Sequence, residues 1–176
     1  MTWIVRKISR VKWDSMPDQD PDNISADAIT GDLRTRGNGL SFWECESIDQ
    51  SLGDVALVLA SAFERLDPVD LAWVEKNCVT DLGIEFQETL GATIVSDMQK
   101  FHVDAVNLNL KGISDLGRLF ASQIRQEDNY KRFCRTEIKR LVADAVLEQR
   151  LRLEDLKDKL RKSISLHLNE KDSSDI

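Results

Sequence analysis

Cysteine and histidine are scarce in this chain, and long apolar runs are missing altogether. The three cysteines, Cys45, Cys78 and Cys134, are odd in number and scattered, which excludes a disulfide framework. Their spacings of 33 and 56 residues match no zinc pattern, and the only two histidines, His102 and His167, lie far away. No structural metal site and no cofactor is therefore expected. The longest apolar run, Val55–Phe63, is interrupted by Ser61 and falls well short of the roughly 18 residues that span a bilayer. The opening MTWIVRKISRVKW sets its charges among and after its apolar residues, the reverse of a secretory signal. These features predict a cytoplasmic protein with no membrane partner.

What the chain has is charge, unevenly spread. Residues 1–110 hold 9 Lys/Arg against 19 Asp/Glu, and residues 111–176 hold 15 against 12. The first stretch reads as an acidic α/β-type domain, 111–170 as a basic helical region and 171–176 (KDSSDI) as a disordered tail. The net charge of −7 argues against nucleic-acid binding by the molecule as a whole.

Apolar periodicity outlines the elements. Trp3–Trp13 reads as a strand, and Asp14–Asn23, with two prolines and four aspartates, as a loop. Ile24–Arg34 reads as a short helix capped by Ser25, with Ile24 and Ile29 placed as a staple. Leu40–Glu46 is a strand. Ser51–Leu66 is a helix whose Val55, Ala56, Leu59, Ala60, Phe63 and Leu66 form one stripe. Val69–Val74 is a strand and Gly83–Glu88 an edge strand. The order β-α-β-α-β implies parallel neighbours joined by crossovers. Val95–His102 leans to helix, and 103–110 is open between helix and strand. From Gly112 onward every signal is helical, with caps at Ser114 and Thr136 and a narrow stripe of Leu153, Leu156, Leu160 and Ile164. The expected fold is α+β: a small three- to four-stranded sheet with two or three helices, then an all-helical C-terminal region.

Several residue groups are candidates for chemistry. Asp70 and Glu85-Phe86-Gln87 resemble the paired carboxylates of metal-dependent phosphodiester hydrolases, but Gln87 stands where lysine is needed. His102 and Asp104 diverge if they lie on a helix, which leaves His102 as a surface residue. Arg132 and Arg135 flank Cys134 without a base to accompany it. Arg34, Arg36, Gly37 and Gly39 are placed for an anion-binding turn. Residues 131–162 carry 11 basic and six acidic groups, and Lys139, Arg140, Arg161 and Lys162 are the expected contacts to a nucleic acid or an acidic partner. Leu153, Leu156, Leu160 and Ile164, together with Trp13 at the rim of a strand, are the expected contacts to another protein subunit.

No catalytic residue is assigned. The favoured reading is a non-catalytic accessory or adaptor protein that binds another protein, of the general type found in bacterial defence or toxin-immunity systems. The alternatives are a nucleic-acid-binding regulator using 131–162 and a divergent metal-dependent phosphodiester hydrolase.

Overall fold

A computed structural model of the chain describes residues 1–14, 20, 22–125 and 129–174. Its centre is an antiparallel sheet of six strands: β1 (Trp3–Ile8), β2 (Leu40–Cys45), β3 (Val69–Glu75), β4 (Glu85–Glu88), β5 (His102–Val106) and β6 (Tyr130–Phe133). Their spatial order is β4-β5-β2-β1-β3-β6. The α-helices are α1 (Arg10–Trp13), α2 (Ile48–Ser61), α3 (Lys76–Thr80), α4 (Leu110–Ile124), α5 (Arg135–Leu147) and α6 (Asp158–Ser174).

Successive strand residues face opposite sides, and both sides are apolar. Val5, Trp43, Cys45, Leu71 and Trp73 pack with α2, α5 and α6. Ile4, Ile8, Leu40, Phe42, Val74 and Ala105 pack with α4 and the segment holding Ala28 and Leu33. Helices thus cover both faces of the sheet. Near-continuous apolar runs such as VDLAWV follow from burial on two sides.

The α+β class stands, but the smaller sheet and the all-helical C-terminal region do not. The sheet has six strands, and β6 adds from the basic region onto β3, pairing Val69 with Phe133 and Ala72 with Tyr130. Four residues with two cations at their centre, YKRF, carry too little alternation to stand out from helical neighbours. The parallel arrangement is also corrected. Strands β2 and β3 do run in the same direction, but β1 lies between them, antiparallel to both.

Local boundaries shift for identifiable reasons. Trp3–Trp13 divides into β1 and a single helical turn that buries Trp13. Ile24–Arg34 folds as one helical turn running into a π-helical turn at Ala28–Asp32, with the Ser25 hydroxyl accepting from Asp27 N–H at 3.2 Å. Helix α4 starts at Asn109, whose side chain accepts from Gly112 N–H at 2.9 Å, rather than at Ser114. Helix α5 is capped at Cys134, not Thr136. Residues 153–155 form a 3-10 turn ahead of α6, which runs to Ser174 and takes in most of the expected tail; residues 175 and 176 lie outside the described residues. Most of the expected loop at 15–21 lies outside them too. No helix among the described residues is long and apolar enough to cross a membrane.

Candidate functional site

The sheet is split along part of its middle. Strand β1 pairs with β3 along its whole length, Trp3–Ile8. Its pairing with β2 covers only Trp3–Val5 against Cys45–Trp43. Strand β2 meanwhile goes on pairing with β5 through Leu40–Trp43. Beyond Val5 and Trp43 the two central strands therefore part like a fork. Arg6 fills the crotch: its Nη1 donates to Ser41 O at 2.5 Å and its Nε to Asp32 O at 2.5 Å, while its guanidinium lies over the Phe42 ring. Burial pulls the Arg6 pKa down to about 10, with Asp32 opposing, so the group stays charged at neutral pH.

A cleft of about 580 Å³ lies in this fork, a size that suits a small-molecule ligand. Its polar lining includes Arg6, Lys7, Lys12, Asp32, Ser41 and His102, and its apolar lining includes Val5, Ile8, Trp43 and Leu59. Arg6, Lys7 and Lys12 line the cleft against Asp32, with Asp104 bonded into its Ser41–Thr89 wall, so cations outnumber carboxylates, the opposite of the chain's overall charge. Both carboxylates are already engaged. Asp32 accepts from Ser9 N–H (2.7 Å), Trp13 Nε1 (2.8 Å) and Lys12 Nζ (3.0 Å). Arg6 spends two of its five N–H donors on carbonyls, which leaves three for other partners. Lys7 is exposed, 4.4 Å from the Phe63 ring centroid.

The opposite wall carries a hydrogen-bonded chain. Thr89 Oγ1 lies 2.7 Å from His102 Nδ1 and donates to Asp104 Oδ2 at 3.0 Å, while Ser41 Oγ donates to Asp104 Oδ1 at 2.7 Å. His102 and Asp104 converge because they sit two apart on a strand, not on the helix that would have separated them. The alternation in VDAVNLNL held that signal, but the strand begins at His102, one residue earlier than that reading. Asp32 had no sequence signal at all, since its partners Ser9, Lys12 and Trp13 come from the α1 turn some 20 residues earlier.

The other candidates fall elsewhere. Leu156, Leu160 and Ile164 are 3%, 0% and 0% exposed in the core under α5, and Leu153 packs against them. The stripe is covered by the chain itself, so it is not a free docking face. Trp13 is 3% exposed and its ring lies tilted against Phe120, centroids 6.4 Å apart. Arg34 and Arg36 are exposed, but Arg36 and Gly39 exchange both backbone hydrogen bonds across a two-residue turn. Those two N–H groups are therefore taken. Gly37 and Asn38, at φ 61° and 60°, are the left-handed pair such a tight hairpin turn demands.

Within 131–162 much of the basic charge is neutralised. Arg132 pairs with Asp70, Arg135 with Asp67, Arg150 with Asp54 and Asp97, and Lys157 with Glu64. Arg161 pairs with Asp158; Lys139 is half-buried, and Arg140 and Lys162 are exposed. Asp70 and Glu85 lie on β3 and β4, four strand spacings or roughly 19 Å apart, too far to share a metal ion. Asp70 instead accepts from Tyr130 Oη at 2.6 Å. No family model matches this chain, and no curated protein or solved structure is detectably similar to it.

Proposed function

We propose that this chain is a non-catalytic binding protein, an accessory subunit that holds a small anionic ligand in the β1–β2 fork. The observation that carries the reading is the cleft itself: a break in an otherwise continuous sheet, lined by Arg6, Lys7 and Lys12, with the carboxylates of Asp32 and Asp104 already bonded. In an acidic chain such a pocket is electrostatically unlike its surroundings, and its low-dielectric walls focus the field on an entering anion. The half-buried Leu59 offers apolar surface to the rest of the ligand. A cytosolic setting suits the three cysteines, all of them free thiols.

The test is titration of full-length protein with inorganic phosphate, pyrophosphate and citrate, followed by Trp43 indole NMR and calorimetry. Saturable binding is expected, weakened about tenfold or more by the surface charge reversal Lys7→Glu, a loss of about 1.4 kcal/mol. Absence of saturable binding by every anion, or indifference to Lys7→Glu, overturns the reading.

A further inference from the structure

The hydrogen-bonded chain on the cleft wall fixes more than the orientation of His102. A threonine hydroxyl has one proton to give. Asp104, as a carboxylate, can only accept, and it already takes the Ser41 proton on its other oxygen. The Thr89 proton therefore goes to Asp104 Oδ2, and the Thr89 oxygen must accept from the imidazole. Neutral His102 consequently carries its proton on Nδ1, and Nε2 keeps a bare lone pair. None of the hydrogen bonds seen among the described residues uses Nε2.

The surroundings hold this arrangement rigid. Thr89 N–H donates to His102 O at 3.2 Å, which ties the two backbones together. Gly91 N–H donates to Gln99 O at 2.9 Å. A Cβ at Gly91 would fall 2.7 Å from Trp43 Cη2 and 3.1 Å from His102 Cβ, so the segment lies against the Trp43 ring and the base of the His102 side chain with no room to spare. The Trp43 and His102 rings meet edge to face at 5.1 Å. His102 pairs with Trp43 and Trp43 with Val5, which places Lys7 on the same sheet face one step along. His102 and Lys7 are thus about two strand spacings apart, roughly 10 Å before their side chains reach inward.

Building on the cleft reading above, we infer that its ligand is a hydroxyl-bearing anion: a hydroxy acid or a hydroxylated phosphate ester. The anionic group meets Lys7, which shares the sheet face of His102, and the hydroxyl donates to His102 Nε2. A ligand without a donor leaves the Nε2 lone pair desolvated and unpaired, which is how sites built around a hydroxyl reject its deoxy analogue.

Two matched pairs test this: glycerol 3-phosphate against propyl phosphate, and malate against succinate, each titrated into full-length protein. In the pair whose anion fits, the hydroxylated member is expected to bind about tenfold tighter. Thr89→Val is expected to erase that preference. Independently, nitrogen shifts of the neutral His102 ring in the unliganded protein are expected to show Nδ1 protonated and Nε2 bare. Equal binding within both pairs, or an Nε2-protonated ring, overturns the inference while the cleft reading stands. Binding by no member of either pair overturns the cleft reading and the inference together.

Discussion

Asp32 carries more of the local structure than any other polar side chain near the cleft, and truncating it has a calculable cost. Its side chain is only 9% exposed, and its two oxygens accept from Ser9 N–H, Trp13 Nε1 and Lys12 Nζ. Asp32→Ala strands the first two of these. Trp13 is buried, so its indole N–H carries nearly the full penalty of an unsatisfied donor, about 2–3 kcal/mol. Ser9 is half-buried and its N–H recovers some water, which puts its share near 1 kcal/mol. Lys12 is 35% exposed, so its ammonium turns to solvent at little cost. The sum is about 3–4 kcal/mol. Asp32→Asn gives a different result. Its oxygen can still serve Ser9 and Trp13, with its amide turned toward Lys12, and the loss falls to about 1 kcal/mol. The Arg6 bond is to the Asp32 backbone and survives both changes. In urea, with m near 2 kcal/mol/M, Asp32→Ala should lower the midpoint by about 1.5–2 M and Asp32→Asn by about 0.5 M. Equal losses for the two variants would show that charge, not satisfaction of the stranded N–H groups, is what Asp32 contributes, and would refute the reasoning.

Two further outcomes follow from burial. Leu160→Ala should cost about 2–5 kcal/mol in the same assay, since the side chain is fully enclosed; a loss below about 0.5 kcal/mol would return the 153–164 stripe to the surface. Burial, aided by Asp54 and Glu44 against an opposing Ser51 hydrogen bond, pushes the Cys45 thiol up to about 11. A raised thiol pKa means less thiolate at every pH below it, so native protein at pH 8 should react rapidly with a thiol reagent at the exposed Cys78 and Cys134 and slowly at Cys45. Rapid modification of all three would contradict the burial of Cys45.

The elements that could be read from the sequence are those whose apolar pattern was self-contained. Strand β2 appears within one residue of its expected end. Leu116, Phe120 and Ile124, four apart in turn, form the buried face of α4. The Gly37-Asn38 turn needed only its left-handed backbone to be recognised. What escaped was everything that depends on a distant neighbour. Strand β6 exists because the β3 edge is there to pair with it, not because YKRF favours extension. Leu156, Leu160 and Ile164 looked like an unpartnered stripe because α5 and α2, which complete that side of the core, lie elsewhere in the chain. The cleft was least visible of all. It arises from a ladder that ends at Val5–Trp43, and neither strand carries a bulge residue or proline to announce the break.

The position of β1 has a consequence for assembly. The outer strands form two sub-sheets, β4-β5-β2 and β3-β6, and in the strand order only β1 stands between them. The first eight residues therefore act as the keel of the molecule. Neither sub-sheet can be completed without a segment whose partners lie about 40 and 70 positions further along. A chain built this way closes its largest loops before its sheet rewards them, which places it among slow folders for its size. It also exposes the inner edges of both sub-sheets whenever β1 is late or displaced, so aggregation through those edges is the failure this topology invites.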